Sequence, residues 1–325
     1  MNPYWGATFF EFFSLLFVRI FSFAIFTPEA DEIQMGVLGC VALSCGLIGP
    51  FLVLKRMTMF ANALSHTILL GIIGAFLCAS FFWGGAMFDP VTLLLGALIS
   101  AFLTAILTEG IVRLFRIQED ASVGLVFSTL FALGVLLATI FTRNVHLSSE
   151  AVMGNADALQ ASDFRLSALS AVFNIGAVLL FYRQLQISSF DRSYALTLGI
   201  RSGFFHFLLL FLSAAVCVGA FRAVGVLLVL AFLTGPYLTA RLFCNRLSHL
   251  LILSPIIGIA ASMIGVGLSR HLLSVYGLPL STGGIVVCIL GLFYGVGIFF
   301  KFAARDTFLL CKRKWLSSEA PDRSE

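Results

Sequence analysis

The chain has 325 residues, of which 60% are apolar and only 11% are charged, and its mean hydropathy is +1.04. Uncharged runs of about 20 residues, the length that a helix needs to cross a bilayer, recur along the chain. This composition excludes an ordinary soluble protein and predicts a polytopic membrane protein that has the lipid bilayer as a partner. The formal charge of +4 comes from basic residues spread over short loops, which excludes a nucleic-acid-binding patch.

The first apolar segment, residues 9–26, is the weakest candidate span. Arg19 falls in its middle, and a central arginine costs roughly 2.5 to 3.5 kcal/mol on the insertion scale. The segment therefore either crosses the bilayer or lies along the interface. We assign residues 1–35 to an N-terminal hydrophobic segment and do not interpret it as a secretory signal, because it lacks a basic start and a small-residue cleavage site.

Nine further apolar runs predict an all-α transmembrane bundle of about eight to ten spans. The runs are continuous and do not alternate with a period of two, which favours helices over a barrel. We assign them to one membrane domain at residues 36–303, followed by a basic tail at 304–325. The runs are 36–54, 60–82, 91–112, 123–141, 166–182, 203–221, 224–243, 249–268 and 282–303.

Basic residues set the predicted orientation. With the C-terminus in the cytoplasm, the outer loops carry only Arg143, Arg165, Arg222 and Arg270. The inner loops and the tail then carry Lys55, Arg56, Arg113, Arg116, Arg183, Arg192, Arg201, Arg241, Arg246, Lys301, Arg305, Lys312, Arg313, Lys314 and Arg323. Cytoplasmic loops of membrane proteins carry the excess of Lys and Arg. The sequence therefore predicts a cytoplasmic C-terminus.

The stretch "FANALSHTILLGI" places Asn62 and His66 one helical turn apart on one face of a predicted span. Polar groups are costly to bury in lipid, so this pair needs a partner. A neutral imidazole nitrogen and an amide oxygen can hold a divalent ion between them. The same two side chains can instead form hydrogen bonds between helices, and the residues alone leave both interpretations open. The other histidines, at 146, 206, 249 and 271, are expected to have interfacial or solvated roles.

Two further stretches predict local structure with a function. In "SFDRSYALTLGI", Ser189 or Asp191 can cap a short helix, Ala195 and Leu196 give it a small apolar face, and Gly199 can end it. A short amphipathic helix of this kind suits docking in a groove, and a solvated loop is the alternative. In "GVLLVLAFLTGPYLTARL", Gly235 and Pro236 predict a kink in mid-span, which serves either a gate or packing.

The sequence contains no phosphate-binding loop that ends in Gly-Lys-Ser or Gly-Lys-Thr, so this chain is not an ATPase of the usual kind. It also lacks a His-Glu-x-x-His signature, which argues against an intramembrane metalloprotease. We predict no enzymatic activity. Transport against a gradient then needs a separate ATPase subunit or an ion gradient, and His66, Glu109 and Glu11 are the candidate proton or ion sites of a secondary transporter.

Five stretches in register resemble the membrane permease subunits of bacterial ABC importers for zinc, manganese and iron(II). They are "GPFLVLKRMTMFANALSHTILLGI" at 49–72, "EDASVGLVFSTLFALGVLL" at 119–137, "SFDRSYALTLGI" at 189–200, "RAVGVLLVLAFLTGPYLTARLF" at 222–243 and "LSRHLLSVYGLPLSTGGIVV" at 268–287. The resemblance covers about residues 36–303. It implies a fold similar to that of the cobalamin and siderophore importer permeases, in a bacterial inner membrane.

The resemblance also implies partners and roles. A metal-binding protein outside delivers the ion, two permease subunits form the passage, and a cytoplasmic ATPase dimer supplies energy. No cofactor is bound permanently, because the metal ion is the transported substrate. The family motif commonly reads Asp-Ala-Leu-Ser-His, so the resemblance makes His66 a metal ligand and puts Asn62 in the acidic position. The short helix, with Phe190, Asp191, Ala195, Leu196 and Gly199, would dock on the ATPase.

Overall fold

The computed structural model describes Tyr4, Gly6 and residues 8–21, 29–83, 90–141 and 156–318, and every regular element in these residues is a helix. The helices are α1 (Phe9–Phe21), α2 (Ala30–Leu54), α3 (Thr58–Trp83), α4 (Pro90–Phe115), α5 (Glu119–Phe141), α6 (Ala161–Leu180), α7 (Tyr182–Phe190), α8 (Arg192–Thr197), α9 (Ser202–Val224), α10 (Val226–Phe243), α11 (Leu247–Tyr276) and α12 (Thr282–Ser318). The all-α prediction is confirmed.

Within these residues, nine helices are long and apolar enough to cross a membrane: α2 to α6 and α9 to α12. They correspond one to one with the nine predicted runs. The predicted first span lies only partly within the described residues, where α1 has 13 residues, so a crossing by this segment stays a prediction. At the other end of the chain, α12 continues past residue 303 to Ser318.

Helix α2 is the centre of the bundle and packs against α6, α9, α10 and α11. Two of its glycines make this packing close. A Cβ atom on Gly49 would lie 2.1 Å from the carbonyl oxygen of Leu233 in α10, and a Cβ on Gly46 would lie 2.8 Å from Cα of Pro255 in α11. Small residues at such positions let helix backbones approach each other, which stabilises helix pairs in a membrane.

Helices α3, α4 and α5 form a second group of packed helices. Between α3 and α4, Ser100 Oγ donates a hydrogen bond to the carbonyl oxygen of Thr67, and Thr104 Oγ1 lies 2.9 Å from Thr67 Oγ1. All three side chains are buried. Hydrogen bonds between membrane helices contribute about 0.6 to 2 kcal/mol each, so these contacts hold α4 on α3.

Candidate ion path and coupling surface

The end of the bundle at which α2 begins is called the upper end. The opposite end, at which α8 lies, is called the lower end. His66 lies on α3 and is half-buried. Its ring contacts two aromatic rings of α5, with centroid distances of 5.1 Å to Phe127 and 5.4 Å to Phe131. These rings form an apolar wall on one side of the imidazole. An imidazole held in this way keeps its nitrogen atoms in a restricted set of directions.

Asn62 lies one turn before His66 on α3, and its side chain is exposed on the surface of the single chain. Ser65 is buried, and its hydroxyl donates a hydrogen bond of 2.6 Å to the carbonyl oxygen of Asn62. Ser65 is therefore engaged with the helix backbone. The pair Asn62 and His66 offers one amide oxygen and one imidazole nitrogen near the surface.

A complete metal site is not found in the part of the chain that the structure describes. No three His, Cys, Asp or Glu residues there lie close enough to hold an ion. A divalent transition metal takes four or more ligands from the protein, water or substrate. The ligand role predicted for Asn62 and His66 therefore stays a prediction.

The short helix α8 has the predicted caps. Asp191 Oδ1 accepts hydrogen bonds from the backbone N–H groups of Ser193 at 2.8 Å and Tyr194 at 3.1 Å. At the other end, Gly199 has a φ of +73°, which an L-residue rarely adopts. The N–H of Gly199 bonds to the carbonyl of Leu196 and that of Ile200 to the carbonyl of Ala195, as in a Schellman motif.

The faces of α8 differ from the sequence interpretation. Ala195 is fully buried, whereas Leu196 is 60% exposed, so the two do not share one apolar face. The reason is the 100° rotation per residue of a helix, which turns neighbouring residues to different sides. The exposed apolar surface of α8 and its flanks is formed instead by Phe190, Tyr194, Leu196 and Leu198. Its docking role stays a prediction.

Helix α10 runs without a break through Gly235 and Pro236. Pro236 is buried, and the carbonyl of Gly235 accepts a hydrogen bond of 2.9 Å from Thr239 Oγ1. Prolines also lie inside α2 and α11, at Pro50 and Pro255. All three prolines are buried, and a gating role for Gly235 and Pro236 stays a prediction.

The upper end contains a cavity of about 440 Å³ between α2, α11 and the start of α12. Arg270 of α11 forms an ion pair with Asp31 of α2, and both side chains are nearly buried. Asp157 accepts a hydrogen bond from the hydroxyl of Thr282 and one of 3.2 Å from Gln34 Nε2. The sequence does not predict these contacts, because their partners lie far apart along the chain.

The Asp31→Ala variant is expected to be strongly destabilised. The side chains of Arg270 and Asp31 are only 11% and 9% exposed, so the change leaves a guanidinium charge buried without its carboxylate. Removal of one partner from a buried pair costs about 3–5 kcal/mol. Thermal unfolding of the purified chain in detergent tests this. The double variant Asp31→Ala/Arg270→Ala should recover much of the loss, and equal stability of the single variant and the native chain would contradict it.

A second network at the upper end involves Arg19, whose charge disfavours insertion of the first predicted span into the membrane. Arg19 Nε lies 2.6 Å from Glu32 Oε1 of α2, and the same oxygen accepts a hydrogen bond of 2.7 Å from the Tyr4 hydroxyl. Burial and this hydrogen bond raise the pKa of Tyr4 above its usual range. The carboxylate of Glu32 thus compensates the arginine charge and ties α1 to α2.

The lower end contains a third polar cluster, which sequence reasoning also missed. Glu109 of α4 lies 2.6 Å from Arg113 Nε through one carboxylate oxygen and 3.1 Å from His206 Nε2 of α9 through the other. Glu11 instead accepts hydrogen bonds from Thr8 at the start of α1. In the described residues, the three candidate sites of a secondary transporter, Glu11, His66 and Glu109, therefore lie in three separate environments.

The nine candidate spans of the described residues, with a short capped helix at one end, define a polytopic membrane protein. The chain belongs to the ABC 3 transport family, because the family model matches residues 32–301. It is 40% identical over 315 residues to a probable metal transport system membrane protein of Chlamydia muridarum, covering 96% of this chain and 98% of the relative. It is 36% identical over 286 residues to the manganese transport system membrane protein MntD of Bacillus subtilis, covering 84% and 92%.

Two solved structures are similar to this fold. PsaBC from Streptococcus pneumoniae, in complex with Fab, has a TM-score of 0.68 and 26% identity, covering 86% of this chain and 95% of that chain. A metal-chelate type ABC transporter in an inward-facing conformation has a TM-score of 0.59 and 17% identity, covering 81% and 84%. The second likeness concerns the fold alone and confirms the predicted metal-chelate type architecture.

Proposed function

We propose that the chain is the permease subunit of an ATP-driven importer of divalent transition metal ions. The observation that carries this proposal is the pair Asn62 and His66 on α3, in a permease of the ABC 3 transport family. Relatives named for metal and manganese transport over nearly their whole length support it. The ion is the substrate, and the chain needs no resident cofactor and no covalent chemistry of its own.

The transported ion is manganese, iron(II) or zinc, and manganese is the first candidate. Imidazole nitrogen and amide oxygen without thiolate suit all three ions, and affinity alone would favour zinc. Selectivity is then assigned to the extracytoplasmic protein that delivers the ion. Relatives named for manganese and for chelated iron transport support the order manganese, iron, zinc.

A second permease subunit completes the passage. In the part of the chain that the structure describes, the candidate site consists of Asn62 and His66, and Asn62 is exposed. If two such faces meet, the two chains supply two imidazoles and two amide oxygens around one ion. Neutral ligands hold a divalent ion more weakly than carboxylates do, and a conduit needs binding that permits release. The partner is a second copy of this chain or a related permease.

The lower end faces the cytoplasm and α8 docks on an ATPase dimer. The positive-inside asymmetry supports this orientation, because Lys55, Arg113, Arg116, Arg183 and Arg201 lie at the lower end. The exposed Phe190, Tyr194, Leu196 and Leu198 offer an apolar surface for a groove. The chain is then a multi-pass protein of a bacterial inner membrane, with residues 1–35 and 304–325 flanking the permease domain.

The test is uptake of labelled manganese, iron(II) and zinc into vesicles that hold this permease together with its ATPase subunits and the delivering protein. We expect at least one metal to accumulate when ATP is supplied on the ATPase side, and none to accumulate with a proton gradient alone. Uptake driven by the proton gradient without ATP would overturn the proposal in favour of a secondary transporter.

The Asp191→Ala variant is expected to lower ATP-driven uptake. Loss of an N-cap costs about 1 kcal/mol of helix stability, and α8 has only six residues over which to distribute that loss. The apolar surface of α8 then loses its fixed shape. Metal uptake by assembled complexes measures the effect, and Asp191→Ser, which restores a cap, should recover it. Uptake that is equal in Asp191→Ala and the native complex would contradict a docking role for α8.

A further inference from the structure

The contact between Glu109 and His206 joins two helices with different roles. His206 lies in the second turn of α9, and α9 begins at Ser202, five residues after α8 ends at Thr197. Glu109 lies near the lower end of α4. The side chains of Glu109 and His206 are each only 15% exposed, and the imidazole donates a hydrogen bond to the carboxylate. Hydrogen bonds to an ionised carboxylate are stronger than those between neutral groups.

Arg113 strengthens the same contact from the side. Its Nε lies 2.6 Å from Glu109 Oε1, and its guanidinium extends over α9, where Nη2 would lie 3.2 Å from a Cβ on Gly203. Gly203 thus leaves room for the arginine in the first turn of α9. The carboxylate of Glu109 is held from both sides, by its own helix and by α9.

Between α8 and α9, the chain turns tightly and is held in place. The Ile200 N–H bonds to the carbonyl of Ala195, and both Ala195 and Ser202 are buried. A displacement of α8 is therefore passed to the first turns of α9, because the connection has few freely rotating residues. His206 is one of the α9 residues that contact α4, together with Phe207 and Phe211, whose rings lie against Phe102.

From α4, the contacts continue to the candidate ion site. Ser100 and Thr104 of α4 both bond to Thr67 of α3, and Thr67 follows His66 directly in the chain. A contiguous series of packed elements thus runs from α8 through α9 and α4 to α3. Coupling between distant sites is carried by such packed and hydrogen-bonded networks, and it has to be demonstrated by coupling measurements.

We propose that Glu109 and His206 form a coupling joint, which carries the movement of α8 to the helix that positions the metal site. They are positioning residues, because neither contacts the ion. This inference rests on the proposed function and adds to it the route by which ATP hydrolysis moves the spans. If this joint exists, its removal is expected to lower metal transport while ATP hydrolysis continues.

The test measures metal imported per ATP hydrolysed in vesicles that hold the complete importer, with manganese as the probe. For Glu109→Gln and His206→Ala we expect hydrolysis to continue while the ratio falls about two- to thirtyfold. His206→Gln keeps an N–H donor and should retain the larger part of the native ratio. His249→Ala, at an exposed histidine of the lower end of α11, should leave the ratio unchanged.

The double variant Glu109→Gln/His206→Ala separates a joint from two independent effects. If the two residues act through one contact, the double variant has the ratio of the worse single variant, because effects of contacting residues are not additive. If His206→Ala does not assemble, Glu109→Gln alone tests the joint, because it keeps the shape of the native side chain. A native ratio in Glu109→Gln would overturn the joint alone, whereas a native complex that imports no metal with ATP would overturn the proposed function and the joint together.

Discussion

The Gly49→Val variant is expected to be strongly destabilised. A Cβ atom at this position would lie 2.1 Å from the carbonyl oxygen of Leu233, which belongs to the backbone of α10. A backbone atom of a packed helix has no alternative rotamer, so α2 and α10 must separate. Overpacking costs about 1–3 kcal/mol and occasionally more, and this site is expected at or above the upper part of that range.

The measurement is thermal unfolding of the purified variant in detergent, together with its yield in the membrane fraction. Gly39→Val is the matched control, because Gly39 lies on the same helix and a Cβ there would meet no atom within 4 Å. Both changes introduce the same β-branched residue into α2, so the helix propensity effect cancels. Similar unfolding temperatures for the two variants would contradict the close packing of α2 on α10.

In the His66→Ala variant, the rate of ATP-driven metal uptake is expected to fall at least about tenfold. Removal of residues that support metal ligands lowers metal affinity or activity about 10- to 100-fold, and the expected effect is at the lower end of that range. The change removes the only imidazole of the candidate site and leaves Asn62 as the remaining ligand on that face. Assembly with the ATPase should persist, because His66 lies on α3 and is distant in sequence from α8. Initial rates of labelled manganese uptake give the comparison.

A second change at the same residue separates a ligand from a packing group. His66→Phe keeps a flat ring against Phe127 and Phe131, which lie at 5.1 Å and 5.4 Å from the imidazole, but it has no nitrogen. If His66 binds the ion, His66→Phe is as defective as His66→Ala. If the imidazole serves only as a packing group against these rings, His66→Phe restores most of the uptake, and the ligand role is then wrong.

Much of the fold was accessible from the sequence, because the bilayer imposes a simple rule on it. A spanning helix must be apolar over about 20 residues, so its length and composition are visible without knowledge of its neighbours. The caps of α8 were accessible for a similar reason. Asp191 and Gly199 act on backbone groups within three or four residues, and such contacts can be predicted from the spacing of residues along the chain.

The polar networks at the two ends were not accessible in the same way. Asp31 and Arg270 are separated by 239 residues, and only the packing of α2 on α11 brings them together. The Glu109–Arg113 pair has the spacing of helical neighbours and was detectable, whereas its partner His206 lies on another helix. The prediction that Ala195 and Leu196 share one apolar face was wrong, because consecutive residues of a helix point about 100° apart.

The central claim is that metal moves through this chain by energy from a separate ATPase. The most direct measurement is manganese uptake into vesicles in which only the ATPase subunits are varied between a native form and a form that binds but does not hydrolyse ATP. We expect uptake to stop with the second form and to persist when an ionophore collapses the proton gradient. Uptake that survives the inactive ATPase and stops with the ionophore would contradict the account.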